Sequence, residues 1–114
     1  MKILIAGSRS IRSFELDKYI PENTECIISG GAEGIDALAE EYADKKKIEK
    51  LILRPNYDIY GRAAPIKRSY DMVDIADKII IIWDGKSNGT RRTIQYAKRR
   101  GKDLTVITVP ENDL

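Results

Sequence analysis

Short, uninterrupted apolar runs alternate along this chain with longer segments in which apolar residues recur every three or four positions. The apolar runs predict five β-strands, at residues 2–6, 25–29, 51–53 (with a start near residue 48), 78–83 and 104–109. The recurring positions predict four helices, at residues 14–20, at 33–47, from Pro65 onward and at 90–100. Because strands that alternate with helices form a parallel sheet flanked by helices, the sequence predicts a single α/β domain over residues 1–114.

Two segments stand out from this pattern. Residues 56–64 have no periodicity and mix two tyrosines with charged residues and a glycine, which suits either a loop over a ligand or an ordinary connection. Residues 79–82 are all isoleucine, so the fourth strand has no polar face. A strand that is apolar on both faces is predicted to lie inside the sheet.

Composition limits the possible functions. Of the 114 residues, 33% are charged and 42% are apolar, and the net charge of +2 is too small to indicate polyanion binding. No apolar run approaches the roughly 18 residues of a membrane span, so we expect a cytoplasmic protein without a membrane partner. The chain has no histidine and one cysteine, which excludes histidine-based catalysis and leaves too few ligands for zinc, so we expect no metal or cofactor.

Glycines and hydroxyl side chains follow three of the predicted strands. They are, in chain order, Gly7, Ser8 and Arg9, then Ser29, Gly30 and Gly31, then the stretch Trp-Asp-Gly-Lys-Ser-Asn-Gly-Thr at residues 83–90. In a parallel sheet all such strand ends lie along one edge, where ligands bind. The last stretch also opens a helix, whose first backbone N–H groups lack intrahelical partners and attract anions.

These strand ends and two further residues form the predicted ligand site. Arg68 lies one turn into its helix and is predicted to face the strand ends; its alternative role is a surface salt bridge with Asp71 or Asp74. Asp36 either contacts the ligand or caps the local turn. The complete set is Gly7, Ser8, Arg9, Ser29, Gly30, Gly31, Asp36, Arg68, Asp84, Gly85, Ser87, Asn88, Gly89 and Thr90.

An anionic ligand has candidate partners in this set. We expect phosphate to lie on the backbone N–H groups of residues 30–31 and 87–90, with charge supplied by Arg9 and Arg68.

Two common phosphate-binding motifs are missing. A P-loop needs a glycine five residues before Gly85, where this chain has Ile80 inside a strand. The dinucleotide fingerprint needs a glycine spacing that residues 30–34 lack, and no acidic residue ends the strand at Leu53. Neither motif therefore defines the ligand.

The three strand-end motifs, taken in order with Arg68, Met72 and Ala76-Asp77, resemble the SLOG superfamily and in particular its small stand-alone YspA-like branch. The resemblance implies a Rossmann-like domain that binds a nucleotide or nucleotide-derived ligand as a sensor, carrier or sequestering protein. Asp36 could accept the hydrogen bond of a ribose hydroxyl in such a ligand. A base could stack on Tyr57, Tyr60 or Trp83, although Trp83 suits the core or a wall of the site better than a stacking platform. Related proteins pair through helix faces, so the resemblance also implies a homodimer.

A first alternative is hydrolysis of a nucleotide N-glycosidic bond. The lonely-guy phosphoribohydrolases share the Arg-x-x-x-Met pattern of residues 68–72, but they carry a glutamate where this chain has Thr93. A placed carboxylate normally assists such a cleavage, and Asp36, Asp58 or Asp84 could substitute for it.

A second alternative is DprA-like binding of single-stranded nucleic acid. Residues 30–36 resemble the motif of that family, and the fourth helix is basic. Most of this charge is predicted on the outer face or at the helix end, where solvation and the helix dipole explain it. The basic residues are Arg91, Arg92, Lys98, Arg99, Arg100 and Lys102.

Overall fold

Each apolar run predicted as a strand forms one in the computed structural model, which describes residues 1–110. The strands are β1 (Lys2–Gly7), β2 (Cys26–Ser29), β3 (Glu49–Ile52), β4 (Lys78–Trp83) and β5 (Asp103–Thr108). The helices are α1 (Ile35–Lys46), α2 (Tyr57–Tyr60), α3 (Ala64–Ile75) and α4 (Asn88–Arg99), with a 3-10 turn at Gly61–Ala63. The protein is therefore a Rossmann-like α/β domain, as predicted, and the tail expected after residue 109 falls mostly outside the described residues.

The strands form one sheet in the order β3-β2-β1-β4-β5, and every pairing among the described residues is parallel. β4 lies between β1 and β5, and its four isoleucines, 79–82, are buried, which confirms the predicted interior position. The chain passes from β1 outward to β2 and β3 and then returns to the other side of β1 as β4. The strand order thus reverses between β1 and β4, the point at which open α/β sheets bind ligands.

The sheet has an apolar core on each face, because successive side chains of a strand point to opposite faces. One core joins Ile3 and Ile5 of β1 to α1 through Ile35, Ala39 and Ala43. The opposite core joins the sheet to α3 and α4, and its members include Leu4, Ile28, Met72, Val73, Ile81, Ile94 and Ala97. Helices α3 and α4 are therefore neighbours on one face, and α1 covers the other. No helix in residues 1–110 is both long and apolar enough to cross a membrane.

The helix predicted at residues 14–20 is wrong. The chain between β1 and β2 forms isolated turns, in one of which the Tyr19 N–H donates to the Leu16 carbonyl at 3.0 Å. Ile11, Leu16 and Ile20 are buried in the core beside α1; Leu16 and Ile20 have a helical spacing, but Ile11 precedes Leu16 by five residues, so the three do not share one helical period. A segment this short cannot offset the cost of helix nucleation alone, so burial of these side chains determines its path.

Residues 56–64, predicted to form a loop, are helical over most of their length. Asn56 caps α2, since its Oδ1 accepts the Ile59 N–H at 3.3 Å. Gly61 has a φ of 56°, a backbone conformation that glycine adopts without strain, and it begins the turn that leads into α3. A side-chain cap and one permissive glycine therefore produce helix where the sequence lacks hydrophobic periodicity.

Candidate functional site

A cleft of about 480 Å³ lies at the C-terminal ends of β1 and β4. It is on the face of the sheet that carries α3 and α4, and both helices line it. Its apolar lining includes Ala6 and Ile81 of the sheet and Met72 of α3, and polar side chains from the loops after β1 and β4 complete it. The cleft therefore occupies the point at which the strand order reverses.

The predicted site residues divide between the cleft and its surroundings. Those that line it are Gly7, Ser8, Arg9, Asp36, Arg68, Asp84, Ser87, Gly89 and Thr90. Those outside the lining are Ser29, Gly30, Gly31, Gly85 and Asn88. The ends of β1 and β4 thus form the cleft, whereas the loop after β2 reaches it only through Ala32 and Asp36.

The start of α4 offers unpaired backbone donors to the cleft. This helix begins at Asn88, two residues before its predicted start, and its first hydrogen bond runs from the Arg91 N–H to the Ser87 carbonyl at 3.0 Å. Within residues 1–110 the N–H groups of Asn88, Gly89 and Thr90 have no acceptor. A Cβ added to Gly89 would meet no atom within 4 Å, so the space beside this backbone is open.

The Ser87 N–H was expected to bind phosphate but is occupied by Asp84. Oδ1 of Asp84 accepts the N–H groups of Lys86 and Ser87, each at 2.8 Å, and Oδ2 accepts the Ser10 hydroxyl at 3.2 Å. Partial burial alone would raise the pKa of Asp84, but these hydrogen bonds and that from the Ser87 hydroxyl lower it to about 2. Asp84 is therefore an ionised group that organises the loop between β4 and α4.

Ser8 and Gly7, at the end of β1, determine how the loop after β4 and β4 itself pack against β1. The buried Ser8 hydroxyl accepts the Asp84 N–H at 3.0 Å and lies 3.2 Å from the Ser87 hydroxyl. A Cβ on Gly7 would overlap the carbonyl oxygen of Ile82 on the neighbouring strand. Gly7 is thus required for strand packing, and Ser8 fixes the wall of the cleft.

Arg68 bridges three segments of the chain from α3. Its Nη1 donates to the carbonyl oxygens of Gly30, at 2.5 Å, and Leu53, at 3.2 Å. Burial lowers the pKa of its guanidinium, an effect that the nearby carboxylate of Asp36 opposes. Its Nε is buried and has no hydrogen-bond partner among the described residues. Arg68 therefore both lines the cleft and positions the loops after β2 and β3.

The alternative role of Arg68 in a surface ion pair is wrong. Asp71 pairs instead with Lys67, at 2.6 Å between Nζ and Oδ1. Asp74 pairs with Arg100, at 3.2 Å between Oδ1 and Nε. Both aspartates thus have other partners, and the predicted orientation of Arg68 toward the strand ends is confirmed.

Asp36 is a buried carboxylate in the first turn of α1, with an exposed fraction of 6%. Its Oδ2 accepts the Ala32 N–H at 3.2 Å, so it stabilises the loop after β2. Burial raises the pKa of Asp36, while the Ala32 N–H and the charge of Arg68 oppose the increase. The loop is tightened further by Ser29, whose hydroxyl donates to Glu40 at 2.8 Å and accepts the Gly31 N–H at 3.2 Å.

Besides Arg68, two arginines contribute positive charge to the cleft lining. Arg9, from the loop after β1, and Arg92, from α4, are exposed, and neither pairs with a carboxylate in residues 1–110. Sequence reasoning included Arg9 but treated Arg92 only as part of a basic stretch. The cleft thus combines two uncompensated cations with the open helix start.

The aromatic candidates for base stacking lie outside the cleft lining. The Trp83 indole N–H donates to the Ser87 carbonyl at 3.2 Å, and Arg91 lies 5.4 Å from its ring centre. Trp83 therefore stabilises the loop between β4 and α4 and does not line the cleft. Tyr57 and Tyr60 are exposed on α2. Within residues 1–110 the aromatic residue that does line the cleft is Tyr70 of α3.

Most lining residues absent from the predicted site lie on α3 and α4, away from the glycine-rich strand ends, whereas Ala6, Ser10 and Ala32 directly adjoin predicted residues. On α3, helical spacing from Arg68 could have indicated Pro65 and Met72, since residues three or four positions away share its face. Residues on α4 carried no comparable signal. The residues absent from the predicted site are Ala6, Ser10, Ala32, Pro65, Ile66, Ser69, Tyr70, Met72, Ile81, Arg92 and Thr93.

The sheet order and the cleft beside the start of α4 define a Rossmann-like domain of the doubly wound type. The chain belongs to the YAcAr family, the YspA, cpYpsA-related SLOG family, whose profile matches residues 1–60. That span includes residues 7–9 and 29–36 and ends before Arg68 and α4. Comparison with curated proteins and with solved structures gave no match.

Proposed function

We propose that this protein binds a nucleotide or nucleotide-derived ligand in the cleft between α3 and α4. The observation that carries the proposal is the meeting of unpaired N–H groups, uncompensated arginines and an apolar lining at the reversal of strand order. Membership of the SLOG superfamily supports a nucleotide-related ligand. The protein then acts as a sensor, carrier or sequestering protein for that ligand.

The phosphate end of the ligand belongs at the start of α4. The N–H groups of Gly89 and Thr90 supply donors, and the helix dipole favours negative charge there. Arg9 and Arg92 add the charge that compensates an anion. The uncharged part of the ligand then lies along Met72 and the neighbouring apolar lining.

Hydrolysis of the ligand is disfavoured by the state of the two carboxylates in the cleft. With a pKa of about 2, Asp84 is a weak base and is already saturated with hydrogen bonds. Asp36 is engaged by the Ala32 N–H. The Thr93 hydroxyl, at the position of the hydrolase glutamate, donates to the Gly89 carbonyl at 3.1 Å. We therefore expect no free base from nucleoside 5′-monophosphates above a buffer blank; release that disappears in Asp36→Ala or Asp84→Ala would favour a hydrolase.

Nucleic-acid binding is disfavoured by the partners of the basic residues on and after α4. Arg91 and Arg99 lie over the rings of Trp83 and Tyr96. Arg100 pairs with Asp74, and Lys102 donates to two carbonyls at the end of α3. These cations serve intramolecular contacts, which leaves fewer of them for phosphates of a nucleic acid.

Native mass spectrometry of the freshly purified protein, followed by thermal shift with nucleoside mono- and diphosphates, tests the proposal. We expect at least one nucleotide to stabilise the protein, and Gly89→Val to remove the shift because its side chain fills the open space at the α4 start. Gln95→Val places the same side chain at an exposed position on α4 and should leave the shift unchanged. Absence of any shift, together with loss of single-stranded DNA affinity in Arg99→Ala/Arg100→Ala, would favour nucleic-acid binding instead.

A further inference from the structure

Tyr70 occupies a distinctive position in the cleft. Among the described residues it is the only aromatic side chain in the lining. One face of its ring is covered by Tyr96 of α4, with ring centres 3.9 Å apart and planes at 10°. Tyr96 itself does not line the cleft, so a ligand ring could stack on Tyr70 only through the ring face opposite Tyr96.

The stack is fixed on its far side by polar contacts between α3 and α4. The Tyr96 hydroxyl donates to the Asp74 carboxylate, with both oxygens at 2.9 Å. Asp74 is bound in turn by Arg100, and Arg99 lies 5.7 Å from the Tyr96 ring centre. Tyr70 thus rests against an immobilised ring, and binding a second ring to it costs little side-chain entropy.

The position of this stack along α4 suits a ligand whose phosphate lies at the helix start. Tyr96 follows Gly89 by seven residues, which is about 10 Å along the helix axis. That distance is of the order of the separation between the phosphate and the base in a nucleoside mono- or diphosphate. The lining between the two ends includes Met72 and Ile66, apolar side chains suited to the uncharged part of such a ligand.

We infer that Tyr70 is the base-stacking residue of the cleft and that Tyr96 is its positioning residue. The inference rests on the proposed function and narrows it: the ligand carries a flat aromatic base, stacked on Tyr70, at the end of the cleft opposite its phosphate. Stacking on one aromatic side chain selects for a planar base and tolerates several bases, so discrimination between bases falls to other residues.

Binding of ribose 5-phosphate and of the 5′-monophosphates of adenosine, guanosine, cytidine and uridine, measured by titration calorimetry, tests the inference. We expect at least one monophosphate to bind about tenfold or more tightly than ribose 5-phosphate, the gain that one base–aromatic stack provides. Tyr70→Leu should weaken the binding of the monophosphates but not that of ribose 5-phosphate, so that the affinities of the two kinds of ligand become similar. Tyr70→Phe, which retains the ring, should preserve the difference.

Two further variants separate stacking from a general loss of structure. Tyr57→Leu removes an exposed tyrosine outside the cleft and should change neither affinity. Tyr96→Phe breaks the contact with Asp74 and should reduce the preference for nucleotide only in part. Equal binding of ribose 5-phosphate and every nucleotide would overturn the role of Tyr70 and leave the phosphate site intact. If none of these compounds binds, the proposed function itself fails.

Discussion

Gly7 and Gly89 both line the cleft, yet they are glycines for different physical reasons. A Cβ on Gly7 would overlap the Ile82 carbonyl and lie 2.8 Å from Cγ1 of Ile35, so this glycine allows β1 to pack against β4 and α1. No atom of residues 1–110 lies within 4 Å of a Cβ on Gly89, so no contact within this part of the chain requires glycine there. Glycine is thus required by close packing at position 7, whereas at position 89 it leaves open space.

Alanine substitutions at these two positions should separate the two reasons. Gly7→Ala should lower the free energy of unfolding by about 2–3 kcal/mol, because the backbone of β4 must move. Gly89→Ala should leave it unchanged or raise it by up to about 1 kcal/mol, because alanine is the better helix former. Urea denaturation of both variants measures the difference, and equal losses would contradict the distinction.

Arg68 is a second residue whose role differs from its appearance in the sequence. From the sequence it was expected to contact a ligand or to form a surface ion pair; in the structure its side chain donates to Gly30 and Leu53 and lies near the buried Asp36. Removing it deprives two carbonyls of a donor and a buried carboxylate of a nearby cation. Arg68 is therefore expected to stabilise the fold whether or not a ligand is bound.

We predict that Arg68→Ala lowers the free energy of unfolding by about 1–3 kcal/mol, measured by urea denaturation at pH 7. Arg62→Ala is the matched control, since Arg62 is exposed in the turn before α3, and its loss should stay within about 0.5 kcal/mol. If Arg68→Ala were as stable as this control, its contacts with the loops after β2 and β3 would be energetically irrelevant.

At the scale of elements, the loop between β4 and α4 depends on one carboxylate. Asp84 accepts the Lys86 and Ser87 N–H groups and the hydroxyls of Ser10 and Ser87, and Gly85 adopts a φ of 83° within the same turn. The loop therefore has a fixed shape before any ligand arrives. Because it leads directly into α4, it also fixes the direction in which the free N–H groups point.

The stability contributed by Asp84 should depend on pH. Its folded pKa of about 2 lies below the 3.8 of an unperturbed aspartate, so the contribution is complete above about pH 4 and is lost as the pH falls toward 2. Asp84→Asn should lower the free energy of unfolding by about 1 kcal/mol at pH 7, a value reduced for solvent screening of this partly exposed group.

Denaturation of Asp84→Asn and the parent between pH 7 and pH 3 measures this dependence. The difference in stability between the two proteins should narrow below about pH 4, since the parent then loses the same charge. Asp17→Asn, at an exposed position in the segment between β1 and β2, should differ little from the parent throughout. If the difference in stability between Asp84→Asn and the parent stayed constant down to pH 3, the charge of Asp84 would not be its cause.

At the scale of the whole molecule, the prediction of a homodimer remains open to test. Edge strand β3 exposes 39% of Leu51, and α2, which follows it, exposes 69% of Ile59. Apolar side chains at these exposures, on a single thin sheet, favour association. We expect sedimentation velocity to show a dimer at micromolar concentration that dissociates on dilution, and a monomer throughout that range would contradict the expectation.

The fold was largely predictable because strong local patterns coincide with the tertiary arrangement. The four consecutive isoleucines of β4 predicted a strand buried on both faces, and the apolar residues at helical spacing in α1 predicted a helix with one buried face. The pattern failed at residues 14–20, where the buried Leu16 and Ile20 have a helical spacing but the chain forms turns against the core. It also failed at α2, which depends on the cap from Asn56.

The sequence by itself determined which strand ends carry glycines and hydroxyls, because local composition reports backbone freedom and donor chemistry. Only the tertiary structure decided which of those ends meet. The strand order placed β1 beside β4, so residues after these two strands form one cleft, while Ser29, Gly30 and Gly31 form a supporting loop. Contacts such as that between Arg68 and Gly30 join residues far apart in the chain, and no local pattern encodes which partners a folded backbone brings together.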